Sequence, residues 1–162
     1  MPTPATSLGA RLLDLWHRLS RLPGGRWMFS RLLGRTVPYS GTIGARVEDL
    51  APGYARLRLQ DRHAVRNHLG SVHALALANL GELASGLATL TALPPGARGI
   101  VLGLDVAYTK KARGTLICEA RSTPPAVAEP VDYTVAAAVC DASGDPVATV
   151  RVRWRLAPSP RD

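Results

Sequence analysis

Glu82 is the only charged residue in a long apolar stretch of the sequence. Between Val72 and Gly96 no Asp, Lys, Arg or second Glu occurs. A helix that faces solvent normally carries several charges, so the stretch predicts a buried helix. A carboxylate in such surroundings tends to have a raised pKa, which suits a general base or a nucleophile. The alternative is a structural Glu82 that pairs with an arginine of a neighbouring strand, and burial alone does not decide between the two.

A polar turn with a glycine lies just before this predicted helix. Residues 67–74 read Asn-His-Leu-Gly-Ser-Val-His-Ala. The start of a helix presents free backbone N–H groups and a positive dipole potential, which can polarise a carbonyl oxygen. His73 and Glu82 are nine residues apart, so one helix separates them by about 180° and about 13.5 Å. If both act on one substrate, the site must combine the helix start of one subunit with Glu82 of another, which predicts a two-fold homodimer.

Helical and alternating patterns surround these residues. Apolar spacing predicts an amphipathic helix over 7–22, capped by Ser7, and a short helix over 26–33. Alternation predicts strands over 42–50, 54–60, 99–109, 115–122, 133–140 and 147–156. This order predicts an α+β fold in which an antiparallel sheet packs on one long central helix. We expect a helical segment over 1–40, a sheet domain over 41–157 and a short tail over 158–162.

Positive charge is concentrated near the amino terminus. The 162 residues carry a net charge of +8, and residues 1–40 hold six arginines against Asp14 alone. Because that segment accounts for +5, only +3 is left for the rest of the chain, and a nucleic-acid-binding surface is not expected. Two interpretations of the basic helix pair stay open, a peripheral membrane contact and a cover over the domain with a solvated arginine face. We favour the cover.

The sequence has neither the spacing of a metal site nor a secretory signal. Cys118 and Cys140 are too few for a disulfide scaffold or a metal cluster. His17, His63 and His73 do not have the spacing of metal ligands. The amino terminus lacks the apolar core of a signal peptide, so we expect a cytoplasmic protein. Its arginine-rich, acid-poor character leaves a mitochondrial transit peptide open.

The central motif resembles that of a known protein family. The pattern Asn67-x-x-Gly70-x-x-His73, followed nine residues later by Glu82, is similar to the phenylacetate-pathway type of hotdog-fold acyl-coenzyme A thioesterases. Members of that family carry Asn, then His-Gly-Gly, then Asp or Glu at these intervals. The segment 106–115 resembles their Tyr-x-x-x-Ala-x-x-Gly strand exit, with one residue fewer between Ala and Gly. The amino-terminal helix pair looks like that of a bacterial subfamily.

The resemblance covers about residues 40–156 and implies the hotdog fold, a sheet wrapped around a long central helix. It implies that Glu82 is a base that activates water or a nucleophile that attacks the thioester carbonyl. The backbone N–H of Ala74, with His73 nearby, would polarise that carbonyl, and Asn67 would orient water or substrate. We expect the substrate-binding residues to be Gly70, His68, Asn79, Tyr108, Lys110, Lys111 and Arg113, the last three near phosphate groups. A solvated basic turn stays open for those three, and an exposed loop histidine stays open for His68.

The expected activity is hydrolysis of medium- or long-chain acyl-CoA thioesters by a homodimer or a dimer of dimers. No cofactor is expected, because coenzyme A enters as part of the substrate; an acyl carrier protein could take its place. One departure from the family is that Ala74-Leu75 stands where His-Gly-Gly has its two glycines. That departure and the basic amino terminus favour an alternative, a non-catalytic protein that binds acyl-CoA or lipid. Hydration or dehydration of an acyl thioester is a further alternative on the same fold.

Overall fold

The computed structural model describes residues 7–159 of the chain. They form four α-helices and six strands, joined in part by a short 3-10 turn at His63–Val65. In chain order the elements are α1 (Leu8–Leu19), α2 (Gly25–Thr36), α3 (Pro38–Gly41), β1 (Arg46–Ala51), β2 (Tyr54–Gln60), α4 (Ala74–Ala92), β3 (Ala97–Tyr108), β4 (Thr115–Arg121), β5 (Val131–Cys140) and β6 (Pro146–Pro158).

All six strands belong to one antiparallel sheet that curves around α4. The strand order is β1-β2-β4-β5-β6-β3, so β1 and β3 form the two edges. Helix α4 packs against β2, β4, β5 and β6. Because one sheet wraps one long helix inserted between its second and third strands, the architecture is the hotdog fold that the sequence predicted.

Period-two patterning explains which side of the sheet faces the helix. In β6, Val150, Val152 and Trp154 are buried. The alternate arginines, Arg151 and Arg153 among them, are exposed. Alternation of this kind places one face of a strand on the core and the other in water. The prediction made from this pattern is confirmed.

Helix α4 is buried as its lack of charge predicted. Thirteen of its 19 residues are buried, including Leu80 and Ala84. Among residues 7–159, α4 is the one helix long and apolar enough to cross a membrane, and 67% of its most apolar window is buried inside the fold. That degree of burial is what a helix at the centre of a domain requires.

The amino-terminal helices pack onto the same core. Ser7 caps α1 as predicted, because its hydroxyl accepts from the Ala10 N–H at 3.1 Å. Trp16 of α1 and Phe29 of α2 are buried against each other edge to face, with ring centroids 5.2 Å apart. The Ser30 hydroxyl accepts from the Val47 N–H at 2.9 Å and joins α2 to β1. These two helices therefore cover the open side of the domain.

Two details near residue 40 differ from the sequence prediction. The strand expected over 42–50 begins only at Arg46. Gly44 has a φ of +66°, a left-handed conformation that interrupts an extended run. The short helix α3, which the sequence did not predict, lies just before this segment. Its Gly41 approaches Gly34 so closely that a Cβ on Gly41 would lie 2.5 Å from the Gly34 carbonyl oxygen.

Candidate active site

The turn before α4 is built around the side chain of Asn67. Its Oδ1 accepts from the Leu69 N–H at 2.9 Å and from the N–H and hydroxyl of Ser71, both at 3.2 Å. Gly70 has a φ of +66°, which a glycine adopts without strain. The oxygen of Asn67 is thus occupied by the turn, and its amino group is the part left for a ligand.

His73 is the amino-terminal cap of α4. Its Nδ1 accepts from the Leu75 N–H at 3.1 Å, and its own backbone N–H donates to the Val65 carbonyl at 2.8 Å. An imidazole that accepts through Nδ1 carries its proton on Nε2. His73 is exposed, so its Nε2–H is available as a donor at the helix start.

Ala74 is the first residue of α4, and its N–H finds no acceptor among the described residues. On the other side of the same residue, the Tyr108 hydroxyl donates to the Ala74 carbonyl at 3.0 Å. Burial raises the pKa of the Tyr108 hydroxyl, so it stays a donor at neutral pH. The helix start therefore offers an unoccupied N–H, from a residue that a strand-end tyrosine holds in place.

Glu82 lies half-buried in the middle of α4. Burial alone raises the pKa of its carboxyl, and no described residue offers it an ion pair or hydrogen bond. The structural arginine partner that the sequence left open is thus not found within residues 7–159. Leu75, seven residues earlier, lies on the same face of the helix and is 63% exposed. Glu82 therefore shares its stripe of α4 with a large apolar side chain in solvent.

Within one chain His73 and Glu82 cannot reach one substrate atom. Helix α4 is continuous between them, so their side chains leave it on opposite sides, about 13.5 Å apart along its axis. A hydrolytic site would combine an unpaired carboxylate with an unoccupied N–H, and one chain does not bring these two groups together.

A small cavity of about 220 Å³ lies beside His73. Asn79 lines it, and the Asn79 amino group donates to the Tyr39 carbonyl at 3.4 Å. The Asn79 Oδ1 is buried without a partner. A buried acceptor without a donor is costly unless a ligand or water supplies one. Asn79 is therefore placed to accept from an N–H or O–H group of a molecule bound at the helix start.

The basic residues expected near phosphates have different surroundings. Lys110 is bound by two carboxylates, with its Nζ 2.6 Å from Asp141 and 2.8 Å from Asp145. Arg113 donates to the Leu69 carbonyl at 3.5 Å, which brings it to the turn before α4. Lys111 and His68 are exposed. Arg113 thus lies next to the helix start, whereas the charge of Lys110 is already neutralised.

A second cavity, of about 330 Å³, was not predicted from the sequence. It lies between α2, α3 and β1, and Leu83 of α4 forms part of its wall. Arg31, Arg35 and Arg46 line it as well. The spacing of the first two, one helical turn apart, was the only sign in the sequence; Arg46 joins them through the tertiary structure alone.

Solved structures share this arrangement of one sheet around one helix. A structural-genomics protein matches over 94% of this chain and 100% of its own, with a TM-score of 0.79 and 28% identity. A Pseudomonas aeruginosa protein, described as a protein of unknown function and probable thioesterase, matches over 85% and 97%, with a TM-score of 0.71 and 26% identity. A thioesterase family protein from Silicibacter pomeroyi matches over 80% and 96%, with a TM-score of 0.66 and 20% identity. These matches confirm the hotdog fold.

Sequence comparison gives the family. A putative esterase of Halobacterium salinarum is 40% identical over 83 residues, which are 48% of this chain and 55% of that protein. The chain thus matches only about half the length of this curated relative. The profile of the family described as "Domain of unknown function (DUF4442)" matches residues 25–156, from the start of α2 nearly to the end of strand β6. The chain therefore belongs to the DUF4442 family, on a fold that solved thioesterase family proteins also have.

Proposed function

We propose that the protein hydrolyses acyl-CoA thioesters of medium or long chain at a site shared between two subunits. The observation that carries the proposal is the unpaired, half-buried carboxylate of Glu82 on the central helix. The names of the thioesterase structures and of the esterase relative support the same class of reaction.

In the proposed reaction Glu82 acts on the thioester carbonyl carbon. As a general base it takes a proton from water, whose oxygen then forms the new bond to that carbon; as a nucleophile it forms that bond itself. The carbonyl oxygen becomes an oxyanion, which the Ala74 N–H and the His73 Nε2–H stabilise. The carbon–sulfur bond then breaks. In the general-base route the thiolate takes the proton that Glu82 removed from water, which gives the free thiol and the acid. In the nucleophilic route the thiolate takes its proton from solvent and leaves a Glu82–acyl anhydride, which water then hydrolyses to the acid and the free Glu82 carboxylate.

The substrate-binding roles follow the positions of the side chains. The amino group of Asn67 and the buried oxygen of Asn79 would bond polar groups of the thioester near the helix start. Tyr108 would hold the Ala74 peptide, and Arg113 would meet a phosphate group. The remaining residues proposed to contact the substrate are His68, Gly70, Lys110 and Lys111, with the two lysines near phosphates. Lys110 would have to exchange its contacts with Asp141 and Asp145 for a phosphate.

An apolar edge of the sheet supports the proposed dimer. Strand β3 is 12 residues long and pairs on one side only. Ile100 is 66% exposed, Leu104 is 49% exposed and Leu75 at the helix start is 63% exposed. A long apolar edge strand is a template for pairing with another chain. A two-fold axis perpendicular to β3 would pair the strand antiparallel with its own copy and cover these side chains.

Glu82→Gln is the direct test of the reaction. We expect it to lower kcat/KM on a panel of acyl-CoA chain lengths by about 10²–10⁴-fold, the usual contribution of a general base. Glu129→Gln, in the exposed loop before β5, is the matched control and should hydrolyse at the wild-type rate. Hydrolysis that is unaffected by Glu82→Gln would remove Glu82 from the mechanism.

Ala74→Pro tests the other half of the site. Ala74 is the first helical residue, where proline is well tolerated, and His73 before it is already extended, with φ −64° and ψ 140°. The substitution therefore deletes the free N–H and leaves the helix intact. We expect an inactive protein with an unchanged melting temperature; full activity would assign the oxyanion to another donor.

Mixing the two inactive variants tests whether the site is shared. In a heterodimer of Glu82→Gln and Ala74→Pro, one of the two shared sites has both groups intact. Random exchange of subunits should then restore about a quarter of the wild-type activity. A site within one chain would give no restoration.

Binding of acyl-CoA without hydrolysis at any chain length would instead favour the accessory-protein alternative, for which the Leu75 side chain at the helix start is the supporting observation.

A further inference from the structure

The outer side of α2 combines large apolar side chains with arginines. Trp27 is 50% exposed, Met28 39% and Leu32 38%, and Leu22 in the preceding turn is 54% exposed. Four exposed arginines lie between or beside them in the sequence. We call this set the α2 surface: Arg21, Leu22, Arg26, Trp27, Met28, Arg31, Leu32 and Arg35.

The charge of the α2 surface is not neutralised within the described chain. Residues 7–47 contain seven arginines and one acid, Asp14. None of these arginines forms an ion pair within residues 7–159. Arg31 lies 5.1 Å from the ring centroid of Trp27, and Arg26 lies 5.9 Å from that of Trp16. Arg26 and Arg31 thus lie over aromatic rings, and the charge of all four arginines is available to an external anion.

The 330 Å³ cavity opens beside the same surface. Trp27, Arg31 and Arg35 belong both to its lining and to the α2 surface. Arg46 adds a third guanidinium, and the apolar Leu33 and Leu83 complete the wall. Guanidinium groups bind phosphate oxygens through paired N–H donors. A cavity with three of them and an apolar wall fits a phosphate group that is attached to hydrocarbon.

The chemistry of the α2 surface decides against other occupants. A two-fold contact with a second copy would place its arginines against the same arginines of the partner, with no acid between them. The β3 edge, which carries exposed Ile100, Leu102 and Leu104, suits such a contact better. Nucleic acid would match the charge, but it would leave the four apolar side chains without an apolar partner. An anionic bilayer satisfies both, because Trp and Leu enter the interface while arginines bind the headgroups.

We propose that the α2 surface docks this protein on anionic phospholipid membranes, with a lipid phosphate held in the cavity by Arg31, Arg35 and Arg46. Docking would bring Leu83, and with it the neighbouring Glu82, towards the membrane face. If the proposed thioesterase activity holds, that position gives access to long-chain substrates that partition into the bilayer. The membrane contact itself does not depend on that activity.

Co-sedimentation with lipid vesicles tests the docking. We expect the full-length protein to bind vesicles of phosphatidylcholine with phosphatidylglycerol and not vesicles of phosphatidylcholine alone. Each arginine near an anionic surface contributes about 5-fold to the affinity, so Arg31→Gln with Arg35→Gln should weaken binding about 30-fold at 0.1 M salt. Trp27→Ala with Leu32→Ala should also weaken binding, through the lost apolar contact. Arg151→Gln with Arg153→Gln, on the outer face of β6, removes the same number of charges and is the matched control; it should bind as the wild type.

The opposite results would overturn the proposal. Equal binding to neutral and anionic vesicles would remove the role of the arginines, and an equal loss in Arg151→Gln with Arg153→Gln would make the effect one of net charge. A change of dimer mass in the α2 variants, without vesicle binding by the wild type, would assign the surface to a second copy. Inorganic phosphate that competes with vesicles supports the cavity, and phosphate that leaves binding unchanged removes it. Acyl-CoA hydrolysis without vesicles is measured separately, so a failure of the thioesterase proposal is distinguishable from a failure of docking.

Discussion

Gly81, the residue before Glu82, is where the central helix comes very close to strand β6. A Cβ at position 81 would lie 2.4 Å from both Cβ and Cγ2 of Val150. Val150 is fully buried, so neither its side chain nor the α4 backbone can move away without a cost in packing energy. Gly86, five residues later on the same helix, has room for a Cβ. A Cβ there would lie 3.5 Å from the Trp154 ring, which is an ordinary van der Waals contact.

Gly81→Ala and Gly86→Ala therefore form a matched pair of substitutions with opposite expected effects. Each gains about 1 kcal/mol of helix propensity. Overpacking against Val150 costs about 3 kcal/mol, the upper part of the usual range for buried sites. Gly81→Ala should then lower the free energy of unfolding by about 2 kcal/mol, and Gly86→Ala should raise it by about 1 kcal/mol. For a chain of this size the melting temperature should fall by about 4–8 °C and rise by about 2–4 °C respectively.

Thermal unfolding and kinetics of the two variants check this reasoning. Relief of the clash at Gly81 requires α4 to move by about 1 Å, and such a displacement of a catalytic group can cost about 100-fold in rate. We expect that loss in acyl-CoA hydrolysis by Gly81→Ala and wild-type activity in Gly86→Ala. A melting temperature of Gly81→Ala at or above that of the wild type would refute the contact between α4 and β6.

Three further outcomes follow from contacts in and near the site. Tyr108→Phe removes the donor to the Ala74 carbonyl, so the unfolding free energy should fall by about 1 kcal/mol together with kcat/KM; an unchanged kcat/KM would separate Tyr108 from the site. Because burial raises the folded-state pKa of Glu82, its charged form opposes folding above that pKa and its neutral form does not. Glu82→Gln should therefore raise the melting temperature at pH 8 but not at pH 3. The pKa of the acid limb of the wild-type kcat/KM profile should lie above the usual pKa range of a glutamate. An acid limb within that range would contradict the assignment of Glu82 as the catalytic group. The hydrogen bond from Arg66 lowers the pKa of Asp61. A second hydrogen bond from the Gly114 N–H also lowers this pKa, whereas burial raises it. Asp61 then contributes stability above its unfolded pKa of about 3.9 that is lost as the pH falls through the lower folded value. Asp61→Asn should cost no more than about 1 kcal/mol at pH 7 because Arg66 is exposed, and urea unfolding at pH 7 and pH 2 should show the difference disappear at pH 2.

Sequence patterns predicted the elements whose structure is set by their own residues. Strand β2 occupies the predicted range 54–60, because alternating leucines and arginines suit only a strand with one buried face. The near absence of charge in α4, where Glu82 is the single exception, likewise predicted its burial. The unpredicted α3 is four residues long, too short to show any periodicity. Its position depends on the approach of Gly34 and Gly41, which no local pattern records.

In the candidate site, too, some positions follow from the local sequence and others only from tertiary packing. The positions of Asn67, His73 and Glu82 on a turn, a helix cap and a buried helix follow from the local sequence. The ion pairs of Lys110 do not, because Asp141 and Asp145 reach it only once β6 pairs with β3. The 330 Å³ cavity lined by Arg31, Arg35 and Arg46 also depends on the packing of α2 against β1. Charge that is counted along the sequence does not show which groups are already neutralised in the fold.

The two polar atoms of the Asn67 side chain have separate environments. Its oxygen accepts three hydrogen bonds within the turn, whereas no described residue accepts from its amino group. An aspartate has the same shape and keeps the acceptor, but it has no amino protons to give. Selection for folding alone would therefore accept either residue at this position, whereas the role proposed for the Asn67 amino group would require asparagine. On that proposal, the residue at this position in a relative distinguishes selection for turnover from selection for the fold alone.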